Sequence, residues 1–333
     1  MIARSTQQIQ QPNWISVLRD SYSDPIHLLR DLGLSPTDVE FLHEHSSFAF
    51  RVPRPFVSRM RPADPKDPLL LQVLPRRPEL LKTLGSSTDP VGDLSQRVSP
   101  ALIQKYHGRA LMIISGGCAI NCRYCFRRHF PYADSVGAAQ VDQAIDFIRG
   151  DHSISEIILS GGDPLLLKDE HLQATITRLA TIPHLRQLRV HTRLPVTIPS
   201  RITDSLLHTL TTTKLSPVIV FHINHPNEID AELSTAFDRC RSAGIMLLNQ
   251  SVLLRGINDD AATLRELSEA LFAASVLPYY VHLLDPVDGA AHFDVSVKKA
   301  ISIAANLRAQ LPGYLMPRFV REIAGENSKV PIA

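Results

Sequence analysis

The sequence has no run of 18 apolar residues, so no segment reads as a membrane-spanning helix. Its first stretch, MIARSTQQIQQPNWISVL, lacks the apolar core of a secretory signal. An excess of one charge is also missing. Lys and Arg number 35 and Asp and Glu 33, and the formal net charge of +2 gives no general attraction for nucleic acid or membrane. Cysteine is scarce, four in 333 residues, and three of the four are crowded together, which excludes a disulfide-stapled secreted framework. A hydrophobic fraction of 44% with 20% charged residues excludes a mainly disordered chain. A globular protein remains, expected in a reducing, cytoplasmic setting where thiolates stay available to a metal.

What is present divides near position 105. Residues 1–104 are rich in Pro, Asp and Arg and poor in strand-like runs, and they predict a mostly helical or irregular extension. Within it DPIHLLRDLGL and TDVEFLHEHSSFAF read as short helices, followed by the turn-rich RVPRPFVSRMRPADPKDPLL. Over 105–315, short apolar runs begin near Leu111, Ile157, Leu188, Val218, Ile245 and Tyr279. Amphipathic segments such as QVDQAIDFI, HLQATITRLATI and TLRELSEALFAA lie between them. A strand start roughly every 30 residues predicts βαβ units, a parallel sheet and a partial (β/α)6 barrel. Residues 316–333 form a C-terminal segment of their own.

Each apolar run is followed by polar residues. The cysteine run follows the first, SGGDP the second, HTRLP the third and HINHPNE the fourth, while NQS and LLDP end the fifth and sixth. In a parallel barrel these ends meet at one rim, where composite active sites form.

The first of these stations, GGCAINCRYCFRRHFPY, places Cys118, Cys122 and Cys125 in a Cys-x3-Cys-x2-Cys pattern. Soft thiolates suit an iron–sulfur cluster or zinc. Three thiolates on a four-iron cubane leave one iron open to another ligand. Two alternatives stand beside this at the level of spacing. His129 would complete a Cys3His zinc site, and Cys122 with Cys125 would make a redox pair.

With Tyr124 just before the last cysteine, and SGGDP (Ser160, Gly161, Gly162, Asp163) after the second strand, the run resembles the radical S-adenosylmethionine (radical SAM) enzymes. The resemblance implies a [4Fe-4S] cluster whose open iron binds S-adenosylmethionine. Ser160 to Asp163 would be near that ligand, the glycines admitting close backbone approach and Asp163 accepting from an ammonium.

Further motifs narrow the resemblance. CRYCFRRHF, RLPVTIPSRIT, HINHPNE, NQSVLLRGIND, PYYVHLLDPVDGAAHF and SKVP together resemble lysine 2,3-aminomutases. RVPRPFVSRM, DPLLLQVLP and KYHGRALMIISGGCAINCRYCFRRHFPYA resemble more closely the bacterial branch that makes (R)-β-lysine, which a separate ligase places on elongation factor P. The family uses pyridoxal 5′-phosphate on an enzyme lysine, and Lys329 stands at that position. Arg127 matches the carboxylate-binding arginine, and its planar fork suits bidentate pairing. Asp285 and Glu322 match the acidic pair for the substrate ε-ammonium. The free-lysine enzymes have Asp at the second of these positions. Lys105, Tyr106 and Arg109 match contacts to pyridoxal phosphate, and His222 and Gln250 match positions near S-adenosylmethionine. Arg128 reads as structural or phosphate-facing, and Cys240 as packing.

The resemblance further implies L-lysine as substrate, an electron donor for the cluster, and no nucleic-acid or membrane partner. The family's zinc-bearing tail would follow Lys329, whereas this sequence stops at Ala333. No zinc is therefore expected, and a homodimer is more in keeping than a tetramer.

Overall fold

The computed structural model describes residues 13–42, 48–81 and 83–333. Among these residues ten strands form one sheet in chain order: β1 (Arg97–Ser99), β2 (Leu102–Tyr106), β3 (Arg109–Ser115), β4 (Glu156–Gly161), β5 (Gln187–Thr192), β6 (Ser216–His222), β7 (Met246–Leu253), β8 (Leu277–Leu283), β9 (Arg318–Arg321) and β10 (Val330–Pro331). From β3 to β9 every neighbouring pair is parallel, while β1, β2 and β10 pair antiparallel at the two edges. The six predicted strands are β3 to β8, joined by helices Ala138–Gly150, Asp169–Ala180, Asp204–Thr211, Ala231–Ser242 and Ala261–Ala273, and helix Val297–Arg308 leads from β8 to β9. The fold is a partial parallel α/β barrel.

Local chemistry accounts for these elements. Every residue of β4 is buried, as expected of a strand covered on both faces. Helix starts fall at residues whose side chains satisfy otherwise unpaired amides. Asp230 accepts from Leu233 N at 2.8 Å, Asp260 from Thr263 N at 2.9 Å and Thr203 from Leu206 N at 3.0 Å. Buried faces such as Leu264, Leu267 and Leu271, three or four residues apart, then pack on the sheet.

Sequence periodicity and structure part company at the ends of the sheet. Position 105 lies inside β2, so the sheet begins before the barrel repeat does. At the other end β9 joins β8 as a seventh parallel strand, because Phe319 and Val320 bury their side chains in register with Val281 and His282. In the extension, the described residues of TDVEFLHEHSSFAF enter one helical element, a 3-10 turn over Pro36–Val39. Glu40 then turns left-handed (φ 49°) and Phe41 bridges Arg76, so tertiary pairing replaces the expected helix; residues 43–47 of that stretch lie outside the described residues.

The extension has its own apolar core around Leu28, Val52, Phe56, Leu69 and Leu70, and that core includes Ile120 from the cysteine loop. A third cluster around Tyr124, Leu254 and Phe293 meets it at Cys122. The cysteine loop is therefore clamped between the extension and the barrel rim. Among the described residues no helix is long and apolar enough to cross a membrane.

Candidate active site

The carboxyl ends of the parallel strands surround a cavity of about 270 Å³. All six polar stations contribute: Cys118, Cys122 and Cys125; Gly161, Gly162 and Asp163; Thr192 and Arg193; His222; Gln250; and Asp285. Lys105, Tyr106 and Arg109 line it from β2 and β3, Arg127 and Ser160 from the rim, and Glu322 and Lys329 from the C-terminal segment. Every residue expected at the site thus faces one space. Arg128 does not line it and is held by Glu79 Oε2 and the Arg123 carbonyl, both at 3.1 Å, which makes it structural. His129 is exposed and away from the thiols' cavity, and Cys240 is buried in the helix–sheet core.

The two glycines of SGGDP, both on the cavity wall, also have a task within the backbone. A Cβ on Gly161 (φ +130°) would lie 2.2 Å from the Ser115 carbonyl oxygen, and one on Gly162 2.1 Å from that of Gly117. The amides of Gly162 and Asp163 donate to those same carbonyls at 2.8 and 2.7 Å. The close approach is between the end of β4 and the backbone that leads into the cysteine loop. Asp163 is similarly occupied. Its Oδ1 accepts from Leu165 N (3.0 Å) and Thr192 Oγ1 (2.7 Å), and its Oδ2 from Arg193 N (2.7 Å) and Leu194 N (2.8 Å). It shapes the turn after β5.

Around the cysteines the charges suit a metal cluster. Burial, then the neighbouring Cys125 and Asp163, push the Cys118 thiol well above its ordinary value. Burial and Cys122 push Cys125 up to about 11. Thiols this reluctant to ionise would be held as thiolates only beside a cationic centre, the role iron would play if bound. Arg193, unremarked as sequence, donates to Cys122 Sγ at 2.8 Å, Gln72 Oε1 at 2.7 Å and Glu228 Oε2 at 3.0 Å, and also bonds the Tyr124 hydroxyl. His222 lies 3.1 Å from that hydroxyl through Nε2, and burial lowers its pKa to about 3, so the ring is neutral. Gln250 is its register partner on β7.

Elsewhere on the cavity wall Lys329 Nζ lies 2.6 Å from Glu322 Oε2, and Lys105 Nζ 2.9 Å from Glu322 Oε1. Burial raises the Glu322 carboxyl, but these two lysines outweigh it and hold the group at about 2. Asp285 contrasts with it. Burial and the Glu322 charge push it up to about 7, and its buried Oδ1 has no partner among the described residues. Arg127 donates to Asp93 Oδ2 at 2.6 Å and to Ser160 Oγ at 3.1 Å. Arg109 stacks on Tyr106, 4.8 Å from the ring centroid, with no carboxylate partner among the described residues. An available cation, a lysine amine and an orphaned carboxylate oxygen fit a phosphate, an aldehyde and a substrate ammonium respectively.

A parallel α/β barrel with three cysteines after its first parallel strand defines a radical SAM enzyme, and the Radical SAM superfamily profile matches residues 112–267. That superfamily implies a [4Fe-4S] cluster and S-adenosylmethionine. The chain is 47% identical over 322 residues to an L-lysine 2,3-aminomutase of Haemophilus influenzae, covering 96% of this chain and 95% of the relative. It is 47% identical over 324 residues to that of Escherichia coli, covering 96% and 94%. The L-lysine 2,3-aminomutase of Clostridium subterminale is 39% identical over 280 residues, covering 83% of this chain but 67% of that longer one. Among solved structures, a radical SAM methyltransferase from Sphaerobacter thermophilus shares 18% identity over 66% of this chain and 68% of its own, with a TM-score of 0.43. The chain belongs to the L-lysine 2,3-aminomutase family, a family of isomerases.

Proposed function

We propose that the protein converts (S)-α-lysine to (R)-β-lysine, with pyridoxal phosphate held on Lys329, and supplies the product for modification of elongation factor P. One observation carries this reading. A single cavity is lined by three cysteines, a guanidinium, a lysine and two carboxylates. When bound, the cluster with S-adenosylmethionine would supply a carbon radical able to take hydrogen from the β carbon, and pyridoxal phosphate an aldehyde to activate the migrating nitrogen.

The chain's own residues bind and orient. Arg127 clamps the substrate carboxylate, while Asp285 and Glu322 receive the ε-ammonium. Two carboxylates offset the desolvation of a buried ammonium better than one. A cation arriving at Asp285 drives its carboxyl to ionise, so the site gains its second negative charge as substrate enters. Arg109, with Tyr106 beneath it, faces the place for a phosphate. Ser160, Gly161, Gly162, His222 and Gln250 form the wall nearest S-adenosylmethionine. The buried lining excludes water and stray hydrogen donors from the radical.

The resemblance of RVPRPFVSRM and DPLLLQVLP to the elongation factor P branch supports that assignment. Glu322, one methylene longer than the Asp of the free-lysine enzymes, supports it as well. This reading places the protein in the cytoplasm, with a separate lysyl ligase downstream, an electron donor for the cluster, and a homodimer as the assembly to test.

The test is anaerobic. Enzyme reconstituted with iron, sulfide and pyridoxal phosphate is given S-adenosylmethionine, reductant and L-lysine, and its products are resolved by chiral chromatography. (R)-β-lysine that depends on S-adenosylmethionine is the expected result. The (S) isomer would move the protein to the free-lysine branch, and no β-lysine from an enzyme with intact cluster would reject lysine as substrate.

A further inference from the structure

The two ends of the proposed substrate pocket are joined by two buried charges, Asp93 and Lys105. Asp93 is 2% exposed. Its Oδ2 accepts from Arg127 Nε at 2.6 Å and its Oδ1 takes Lys105 Nζ at 2.6 Å. The Asp93 amide is itself fixed by Asp89 Oδ1 at 2.9 Å. Lys105 then reaches Glu322 Oε1 at 2.9 Å and the Val91 carbonyl at 2.7 Å. An ammonium has three donors, and all three are taken. Lys105 therefore has no donor left for a phosphate in this arrangement, unlike Arg109.

The resulting line is Arg127, Asp93, Lys105, Glu322, alternating in sign at each step. Its members come from separate parts of the chain: the loop after β3, the segment before β1, β2, and the residue after β9. No local element sets the distance between Arg127 and Glu322, so the buried links set it. Arg127 keeps Nη2 free of hydrogen bonds among the described residues, which leaves it a donor for a ligand while Nε is held.

We propose that Asp93 and Lys105 are positioning residues, a rigid strut that fixes the separation of the carboxylate clamp Arg127 from the ammonium acceptor Glu322 and so selects a diamino acid of lysine's length. The inference rests on the roles given above to Arg127 and Glu322. L-ornithine is one methylene shorter, so its ammonium falls short of Glu322 once its carboxylate is on Arg127. In a fitted site one missing methylene costs roughly 10- to 200-fold. A strut that has lost a member lets the two ends drift, which weakens lysine binding and blunts the discrimination. A merely structural ion pair would alter stability and leave that ratio alone.

The experiment uses the reconstituted holoenzyme and the variants Asp93→Asn, Lys105→Met and Lys105→Arg. Iron and pyridoxal contents are measured first, then kcat and KM for L-lysine and L-ornithine. For Lys105→Met the KM for lysine is expected to rise on the order of tenfold, with a smaller fall in kcat, because a small misplacement of binding groups is costly. The lysine-to-ornithine ratio of kcat/KM should fall by about the same factor, and Lys105→Arg should recover much of it. Asp93→Asn should behave as Lys105→Met does; if it fails to hold its cluster, Lys105→Met decides. An unchanged ratio in Lys105→Met at normal iron and pyridoxal content overturns the strut. Loss of pyridoxal phosphate from Lys105→Met also overturns it, returning Lys105 to a phosphate contact. A wild-type enzyme that makes no β-lysine removes the functional reading and this inference together, whereas an active wild type with indifferent variants removes only the inference.

Discussion

Arg193 and Cys122 are joined by a 2.8 Å contact from a guanidinium nitrogen to the thiol sulfur, although 70 residues separate them in the chain. The same guanidinium holds Glu228, which is wholly buried. One side chain thus ties the turn after β5 to the cysteine loop and neutralises a carboxylate beneath it. Donors and positive charge next to a cluster sulfur stabilise the reduced cluster.

Arg193→Met should leave Glu228 buried without its cation and destabilise the chain by about 3–5 kcal/mol. Reconstituted iron per chain should fall, and any cluster retained should have a more negative midpoint potential. Denaturant melts, iron assay and an EPR redox titration check the three effects. A wild-type potential in a fully loaded variant would show that the contact does not tune the cluster.

The thiols and the lysine should separate in their effects. Cys118→Ala, Cys122→Ala and Cys125→Ala should each abolish turnover along with the cluster's visible absorbance. Lys329→Ala should keep iron and sulfide but lose the absorbance of pyridoxal bound to the enzyme. Turnover surviving in any cysteine variant would contradict a radical enzyme.

Asp285 gives a pH signature. Burial and the Glu322 charge push its carboxyl up to about 7, above the ordinary value of 3.8. Between those values the folded chain without substrate binds more protons than the unfolded chain, so this group's contribution to stability falls as pH rises through the window. Substrate binding has the opposite sense. KM for L-lysine should drop as pH climbs from about 6 to about 8 and Asp285 ionises, and binding near neutrality should release a proton. Asp285→Asn should remove the pH dependence of KM; calorimetry in buffers of different ionisation enthalpy reads the proton.

The rim glycines should tolerate nothing larger. Gly162→Ala places a carbon 2.1 Å from the Gly117 carbonyl oxygen, so β4 and the cysteine loop must part. The expected outcome is a loss of about 2 kcal/mol or more together with depleted iron. Gly150→Ala is the control. It ends a helix in open space with no positive φ, and it should stabilise by about 0.4–1 kcal/mol. Thermal melts compare the two directly.

Much of the site was legible because its chemistry is crowded into short motifs. Cys118, Cys122 and Cys125 share one loop, and Gly161, Gly162 and Asp163 share one turn, so spacing alone gathers them. Strand periodicity then brings His222, Gln250 and Asp285 to the same rim. What periodicity could not show was purpose. The SGGDP glycines make room for neighbouring backbone, and Asp163 braces a turn. The TDVEFLHEHSSFAF stretch has apolar spacing compatible with a helix, but Phe41 has a bridge partner at Arg76 that no local pattern announces.

The sequence by itself determined the parallel barrel, the three thiols at its mouth and the identity of the charged groups around the cavity, because local spacing and strand order are properties of the chain. Only the tertiary structure decided which charge faces which. Arg193 on Cys122, Arg127 on Asp93 and Lys105 on Glu322 are pairings across 71, 34 and 217 positions. Such pairings follow from which strand ends the sheet places side by side, and from the high cost of burying any of these charges without its partner.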